Sequence, residues 1–148
     1  MGRYFEELTL GDCFESPRRT ITEADLTIFA GFSGDFNPIH TDEEFARRTT
    51  FGTRILHGPA GLAIATGLES RLGIKDGTAL AMLGLTWEFR APIKVHDTIH
   101  VVERVADKRE TSKPDRGIVT FTVEVINQEG VVCQGGDWKV MMKRRPEA

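Results

Sequence analysis

The run from Ser33 to His40 holds more chemically useful side chains than any other segment of this 148-residue chain. Its sequence, Ser-Gly-Asp-Phe-Asn-Pro-Ile-His, supplies a carboxylate at Asp35 and an imidazole at His40. Gly34 and Pro38 disfavour a regular helix here, because glycine weakens helices and proline lacks the N–H that a helix needs. We therefore expect Asp35 and His40 to lie on a rigid turn, where both can reach one water molecule or one substrate proton.

A structural role is the alternative for the same residues. Asp and Asn before a proline commonly form side-chain turns and cap helices, and a histidine beside them can satisfy a backbone group. A second sequence element favours a catalytic role over a structural one. Farther along, Ile55 to Pro59 leads into the apolar, small-residue run Ala60 to Leu68, which is long enough for a buried helix.

Together these segments resemble the MaoC-like dehydratases and (R)-specific enoyl-CoA hydratases of the hot-dog superfamily. Residues 33–40 match that family's S/E-x-D-x-N-P-hydrophobic-His pattern, and residues 41–46 match the x-D-x-x-F-A that follows it. Residues 55–58, Ile-Leu-His-Gly, match its helix start, and residues 84–98 look like its strand entering a turn. The likeness covers most of the chain, from residue 21 to residue 143.

The resemblance implies a hydro-lyase that reversibly hydrates a 2-enoyl-CoA to a (3R)-hydroxyacyl-CoA. It makes Asp35 and His40 the catalytic pair that activates water, with the acid and base roles not divided between them. It makes Asn37, Gly58 and Thr66 the substrate-binding group: Asn37 holds the loop or a catalytic neighbour, and Gly58 offers backbone N–H groups to the thioester oxygen at a helix N-terminus. It also implies that Thr66 contacts the substrate.

Simpler roles are open for two of these residues. Gly58 can belong to an ordinary helix N-terminus with a histidine near the cap. Thr66 can donate to a preceding carbonyl of its own helix, as threonines in buried helices often do.

Two other functions compete with hydration. A hot-dog acyl-CoA thioesterase would direct water at the thioester carbonyl, but such enzymes generally carry a carboxylate on or near the central helix, and residues 57–68 contain no acid. A noncatalytic acyl-CoA-binding module would tolerate the loss of Asp35 or His40, and their joint presence argues against it. An acyl-carrier-protein thioester is a less favoured substrate than the coenzyme A form.

Composition narrows the class of partners. The net charge of −3 leaves no broad basic field, so we expect no nucleic-acid partner. The basic cluster Lys143 to Arg145 is either a solvated tail or a contact for the phosphates of a nucleotide-bearing substrate. No apolar run approaches the roughly 20 residues of a membrane span, and the acidic start of the chain does not match a signal peptide. We expect a cytoplasmic protein that acts away from membranes.

No metal or separate cofactor is expected, because coenzyme A enters as part of the substrate. His96 and His100 are four residues apart, but on a strand this spacing separates them by roughly 13 Å, too far for joint coordination. Cys13 and Cys133 are far apart in sequence, which predicts free thiols.

The elements that must position the pair begin with helices. Thr22 and Asp25 fit a capping-box variant that opens a first helix. Thr41 is expected to cap a second, short helix whose Phe45 and Ala46 anchor the loop from behind. The central helix is predicted from His57 to about Leu72, with Pro59 in its first turn.

Strands are predicted from Ala79 onward, where β-branched and aromatic residues alternate with polar ones. The alternating run 83–89 is one strand, residues 127–130 form a hairpin turn, and residues 108–117 form the longest polar loop. Trp87 and Phe89 are assigned to the core or to an acyl tunnel. One helix followed by antiparallel strands predicts an α+β fold.

The resemblance makes this a single hot-dog domain over residues 1–148, with an antiparallel sheet wrapped around the central helix. One hot-dog unit leaves a sheet edge open and cannot enclose a long thioester alone. We therefore expect a homodimer, or an assembly of dimers, with sites near the subunit boundary.

Overall fold

The computed structural model describes residues 2–146, in which seven strands form one antiparallel sheet. The strands are β1 (Cys13–Glu15), β2 (Arg19–Thr20), β3 (Ala79–Leu85), β4 (Glu88–Phe89), β5 (Thr98–Glu110), β6 (Arg116–Ile126) and β7 (Val132–Lys143). Their order is β1-β5-β6-β7-β3, with β2 also paired to β5 and β4 to β7. Strand β3 therefore lies at one edge of the sheet.

Four α-helices accompany the sheet within the described residues. They are α1 (Glu23–Ser33), α2 (Pro38–Thr41), α3 (Glu43–Ala46) and α4 (Gly58–Ser70). The 3-10 turn Phe5–Glu7 precedes them. No helix of residues 2–146 is long and apolar enough to cross a membrane.

The core lies between α4 and the long strands. On β6, Val119, Phe121, Val123 and Val125 are fully buried, while the residues between them are half-buried, as expected of a strand with one face on the core. Helix α4 buries Ala60, Ala65 and Leu68 in the same cluster. This packing confirms the predicted α+β architecture, with the central helix against an antiparallel sheet.

Both main helices begin where the sequence predicts. The backbone N–H of Thr22 donates to the Asp25 carboxylate at 2.8 Å, so the capping box opens α1 as expected. His57 is the N-cap of α4, and Pro59 lies in the first turn. Because α1 ends at Ser33 and Gly34 takes a φ of 78°, the chain leaves the helix directly into the Asp35 turn.

Three predictions around the reactive segment are wrong. His40 lies in the short helix α2 and not on a turn, because Pro38 fits the first helical position, where its missing N–H has no bond to make. Asp42, not Thr41, caps α3: its carboxylate accepts from the N–H of Phe45 at 3.0 Å. Phe45 is exposed and does not anchor the loop, whereas Ala46 is fully buried as predicted.

The strand boundaries also differ from the predictions. The polar residues 108–110 and 116–117 belong to β5 and β6, since Arg109 pairs with Ile118 and Glu110 with Gly117, so the loop spans only 111–115. The run 83–89 is interrupted between β3 and β4. The turn at residues 127–130 is confirmed.

The chain ends are joined by ion pairs. Arg144 Nε lies 2.6 Å from Glu6 Oε1, and Arg145 Nη2 lies 2.5 Å from Glu7 Oε1. The C-terminal basic cluster is therefore not a loose solvated tail. Cys13 and Cys133 are both free thiols, as predicted.

Candidate active site

Asp35 stands on a tight turn between α1 and α2. Its Oδ1 accepts from the backbone N–H of Asn37 at 3.1 Å, which fixes the carboxylate against its own loop. Its Oδ2 lies 3.8 Å from Nε2 of His40. That distance is too long for a direct hydrogen bond and suits two groups that share one water molecule. The predicted pair is therefore brought together, although His40 comes from a helix.

His40 presents one ring nitrogen to this gap. Its Nδ1 lies 2.8 Å from the carbonyl oxygen of Ile55. Because a carbonyl only accepts, Nδ1 carries the proton and Nε2 keeps its lone pair toward Asp35. Desolvation lowers the pKa of His40, and His57 lowers it further, against the opposing effects of the Ile55 hydrogen bond and Asp35. The lowered pKa favours the neutral form of the His40 ring.

His57 is a third member of the cluster that the sequence interpretation treated only as a residue near the helix cap. It is 1% exposed, and its ring stacks on that of His40 with centroids 3.8 Å apart and planes inclined by 24°. Its Nε2 lies 2.9 Å from the backbone carbonyl oxygen of Asp35. Sequence spacing carries no signal for this contact, because it joins residues 22 positions apart.

The N-terminus of α4 offers one backbone donor beside the pair. Pro59 has no N–H, and the N–H groups of Ala60 and Gly61 both donate to the carbonyl of His57. The N–H of Gly58 has no acceptor among residues 2–146. The helix dipole adds positive potential at this position.

The buried side-chain amide of Gln134 bonds to the backbone carbonyl of Gly58. Gln134 Nε2 donates to the carbonyl of Gly58 at 3.2 Å, and Gln134 Oε1 accepts from Trp87 Nε1 at 3.0 Å. Phe89 covers Gly58, since a Cβ there would lie 2.8 Å from Phe89 Cε1. Trp87 thus packs partly in the core, and Phe89 stands at the site.

A cavity of about 360 Å³ lies beside His40, Gly58 and Gln134. Apart from His40 and Arg90, its walls are apolar or amide-bearing. The lining residues are His40, Phe51, Ile55, Leu56, Gly58, Phe89, Arg90, Ala91, Pro92, Ile93 and Gln134.

Asn37 and Thr66 make local contacts. The side chain of Asn37 accepts from the N–H of Ile39 at 3.2 Å and so caps α2, which is the loop-holding part of its predicted role. Thr66 Oγ1 donates to the carbonyl of Ala63 at 2.6 Å, which is the simpler of its two predicted roles. Thr66 lies about 12 Å along the helix from Gly58 by the rise of 1.5 Å per residue. Substrate contacts of Asn37 and Thr66 stay predictions.

An ion-pair network fixes the frame around the pair. Arg54, in the segment before α4, lies 2.6 Å from Glu23 Oε1 on α1 and 2.7 Å from Glu43 Oε2 on α3. The hydrogen bonds from Arg54 and Thr53 lower the pKa of Glu43 to about 2. The network joins three segments that surround the reactive turn.

Asp35, His40 and His57 each place one ligand atom within 4.8 Å of the others, close enough to raise the question of a metal ion. The stacking of the two imidazole rings disfavours a shared metal ion. An imidazole lone pair lies in the ring plane, so two nearly parallel rings direct their lone pairs side by side and not toward one ion at about 2 Å. The expectation of no metal stays a prediction.

The fold is that of the hot-dog proteins. A conserved hypothetical protein from Mycobacterium tuberculosis with a double hot-dog fold superposes with a TM-score of 0.83 over 99% of this chain and 46% of that chain. The identity is 18%, so this likeness concerns the fold alone. The MaoC-like dehydratase from Rhodospirillum rubrum superposes with a TM-score of 0.89 at 33% identity, over 99% of this chain and all of that one.

The family model described as MaoC like domain matches residues 7–127, and the chain belongs to this family of hydratases and dehydratases. An (R)-specific enoyl-CoA hydratase from Rhodospirillum rubrum is 34% identical over 89% of this chain and 87% of its own length. A 3-hydroxybutyryl-CoA dehydratase from Methylorubrum extorquens is 42% identical over 70% of this chain, but the match spans 64% of that protein. The match to protein MaoC from Klebsiella aerogenes, 40% identical over 77% of this chain, spans only 33% of its length.

Proposed function

We propose that this protein is a hydro-lyase that reversibly adds water to a 2-enoyl-CoA and yields a (3R)-hydroxyacyl-CoA. The observation that carries the proposal is the 3.8 Å gap between His40 Nε2 and Asp35 Oδ2 beside the Gly58 N–H, which has no acceptor among residues 2–146. The relative named (R)-specific enoyl-CoA hydratase, matched over 89% of this chain, supports the configuration.

The chemistry follows from the three groups. A water in the gap donates to His40 Nε2 and to Asp35 Oδ2, so its oxygen lone pair points at C3 of the enoyl group. As the O–C3 bond forms, the pair takes one proton from the water, and one proton passes from the pair to C2. Negative charge that develops on the thioester oxygen is stabilised by the Gly58 N–H and the α4 dipole. The sum is water added across the double bond, and no separate cofactor takes part.

The arrangement is unfavourable for thioester hydrolysis by a helix carboxylate. The first acid on α4 is Glu69, about 16 Å from Gly58 by the helical rise, and its carboxylate lies 2.8 Å from Lys75 Nζ. Hydration with Asp35 and His40 therefore accounts for the site better than hydrolysis does.

We also propose that a second copy of the chain pairs with β3. Its free edge leaves backbone groups unpaired, and apolar side chains are exposed on both faces: Leu80 at 42%, Met82 at 46%, Leu83 at 45% and Leu85 at 42%. Only Thr86 and Trp87 separate β3 from β4, whose Phe89 covers Gly58. A partner there would stand next to the cavity mouth. Light scattering should give a dimer or a multiple of dimers, and Leu83→Lys should shift the mass toward the monomer.

The reaction is tested by the loss of enoyl-thioester absorbance with crotonyl-CoA and with longer and branched esters. Loss of conjugation without release of free thiol supports hydration, and thiol release supports a thioesterase. Asp35→Asn and His40→Ala should each lower the rate by about 10²–10⁴-fold. Asp107→Asn, on an exposed part of β5, and His96→Asn, in a turn with φ 74°, are matched controls. Saturable binding without turnover would favour the noncatalytic module.

A further inference from the structure

His57 contacts both Asp35 and His40 but does not line the cavity beside His40. Its ring stacks on the ring of His40, with centroids 3.8 Å apart, and a tilted Phe29 ring has its centroid 4.9 Å away. Its edge contacts Asp35 through the 2.9 Å bond from Nε2 to the backbone carbonyl. The His57 side chain is buried, and its contacts reach both His40 and Asp35.

We propose that His57 is a positioning residue of the hydration reaction: its ring sets the plane of His40, and its Nε2–H holds the backbone of Asp35. This inference rests on the proposed function, because the gap between Asp35 and His40 matters only if a water acts there. His57 itself touches neither water nor substrate.

Each contact removes a motion that the other restraints leave free. The bond from His40 Nδ1 to Ile55 fixes one corner of the ring, and the ring can still rotate about that bond. The stack on His57 removes the rotation. Asp35 lies in an exposed turn, and the His57 bond ties its carbonyl to the start of α4. A displacement of about 1 Å in a catalytic group can cost about 100-fold in rate.

The bond from Nε2 orients the His57 ring. Because a carbonyl only accepts, Nε2 is the donor to Asp35. Nδ1 is buried and has no partner among residues 2–146, so this bond is the one hydrogen bond of the ring within the described residues.

Two substitutions separate the two contacts. His57→Phe keeps an aromatic ring to stack on His40 and removes the donor to Asp35. His57→Gln keeps an amide donor and removes the ring. We expect each to lower kcat for crotonyl-CoA hydration by about tenfold to 100-fold with little change in KM, because the substrate contacts are intact.

The pKa of His40 can be measured as a second readout. It should not change if His57 only stabilises the fold. His57 lowers the pKa of His40, so His57→Phe should raise it, and the rising limb of the pH–rate profile should move to higher pH. NMR of the His40 ring C–H measures this directly and does not require turnover. The matched control is His100→Phe: His100 is also buried but lies on β5, and its Nε2 is 3.3 Å from Glu15.

The outcomes separate this inference from the proposed function. Reduced kcat with a shifted His40 titration in His57→Phe, and neither change in His100→Phe, supports positioning. Folded His57 variants with wild-type kcat, or with reduced kcat and an unchanged His40 titration, overturn it. If the wild-type protein hydrates no enoyl thioester, the proposed function fails, and an unchanged His40 titration in His57→Phe still overturns the positioning by itself.

Discussion

The side-chain amide of Gln134 occupies the space that a methyl group on Gly61 would need. An ideal Cβ on Gly61 would lie 2.5 Å from Gln134 Oε1 and 2.7 Å from its Cδ. The same amide donates to the carbonyl of Gly58 and accepts from Trp87. Because Gly61 has no side chain, α4 approaches β7 closely enough for Gln134 to bond to the carbonyl of Gly58, the residue whose N–H is the proposed donor.

Gly61→Ala should destabilise the protein, although alanine normally favours a helix over glycine. The new methyl group must displace Gln134 and break its bonds to Gly58 and Trp87, at a cost of about 1–3 kcal/mol in the free energy of unfolding. Urea unfolding measures this value. We also expect a lower hydration rate, because the Gly58 peptide loses its support.

Gly67→Ala is the matched control in the same helix. No atom lies within 4 Å of a Cβ built on Gly67, so the ordinary helix preference should act alone. We expect a stabilisation of about 0.5–1 kcal/mol. Equal stability of the two alanine variants would contradict the close contact at Gly61.

Gly58→Ala tests the backbone donor. The added Cβ would lie 2.8 Å from Phe89 Cε1, so the ring or the start of α4 must move. We expect kcat for hydration to fall by about 10²–10³-fold, as when one donor to an oxyanion is lost. Adding Phe89→Leu to the variant should recover part of the activity, since it removes the clash. Wild-type kcat in Gly58→Ala would exclude Gly58 from the reaction.

The pH dependence of hydration should report His40. Desolvation is the largest cause that lowers the pKa of His40. We therefore expect kcat/KM to stay constant as the pH falls to just below 6.5, the ordinary pKa of histidine, and to decrease only at more acidic pH. A profile between about pH 5 and 8 measures this limb. A limb centred above 6.5 would contradict a neutral His40 base.

The same shift predicts a stability effect. Because the folded-state pKa of His40 lies below the unfolded value, the unfolded chain binds the proton more readily. The contribution of His40 to stability is therefore present above pH 6.5 and is lost as the pH falls toward the folded pKa. His40→Gln should lack this part of the acid dependence in urea unfolding.

The buried carboxylate of Glu103 should give stability a second pH dependence. This fully buried residue of β5 forms an ion pair with Lys75, which also pairs with Glu69. Burial raises the pKa of Glu103 to about 7, against the lowering effect of Lys75. Since the folded pKa exceeds the unfolded value of 4.5, this contribution to stability is complete below pH 4.5 and is lost as the pH rises through about 7.

Glu103→Gln should therefore gain stability relative to the wild type as the pH rises from 5 to 8, because the amide stays uncharged in the same space. Urea unfolding at both pH values measures the difference. Glu129→Gln, in the exposed turn after β6, is the control and should follow the wild type. A Glu103→Gln curve parallel to the wild type would show that Glu103 does not titrate in this range.

Local sequence determined most of the elements and the choice of Asp35 and His40 as the proposed reactive pair. Gly34, Pro38 and the Asn37 cap act on neighbours within a few residues, so the turn at Asp35 and the start of α2 follow from steric and hydrogen-bonding rules that need no distant partner. The alternation of residue types along β6 likewise identifies the face of that strand that packs on the core. The position of His40 in α2 was still missed, because a proline can begin a helix as well as prevent one.

Tertiary structure alone decided how the pair is supported. The stack of His57 on His40 and the bond from Gln134 to Gly58 join residues 17 and 76 positions apart, and nothing in the local sequence sets such distances. They arise because the burial of apolar side chains brings α4 onto the sheet, where only a small residue at Gly61 fits over Gln134. The sequence thus determined which groups are proposed to react, and packing decided which groups hold them in place.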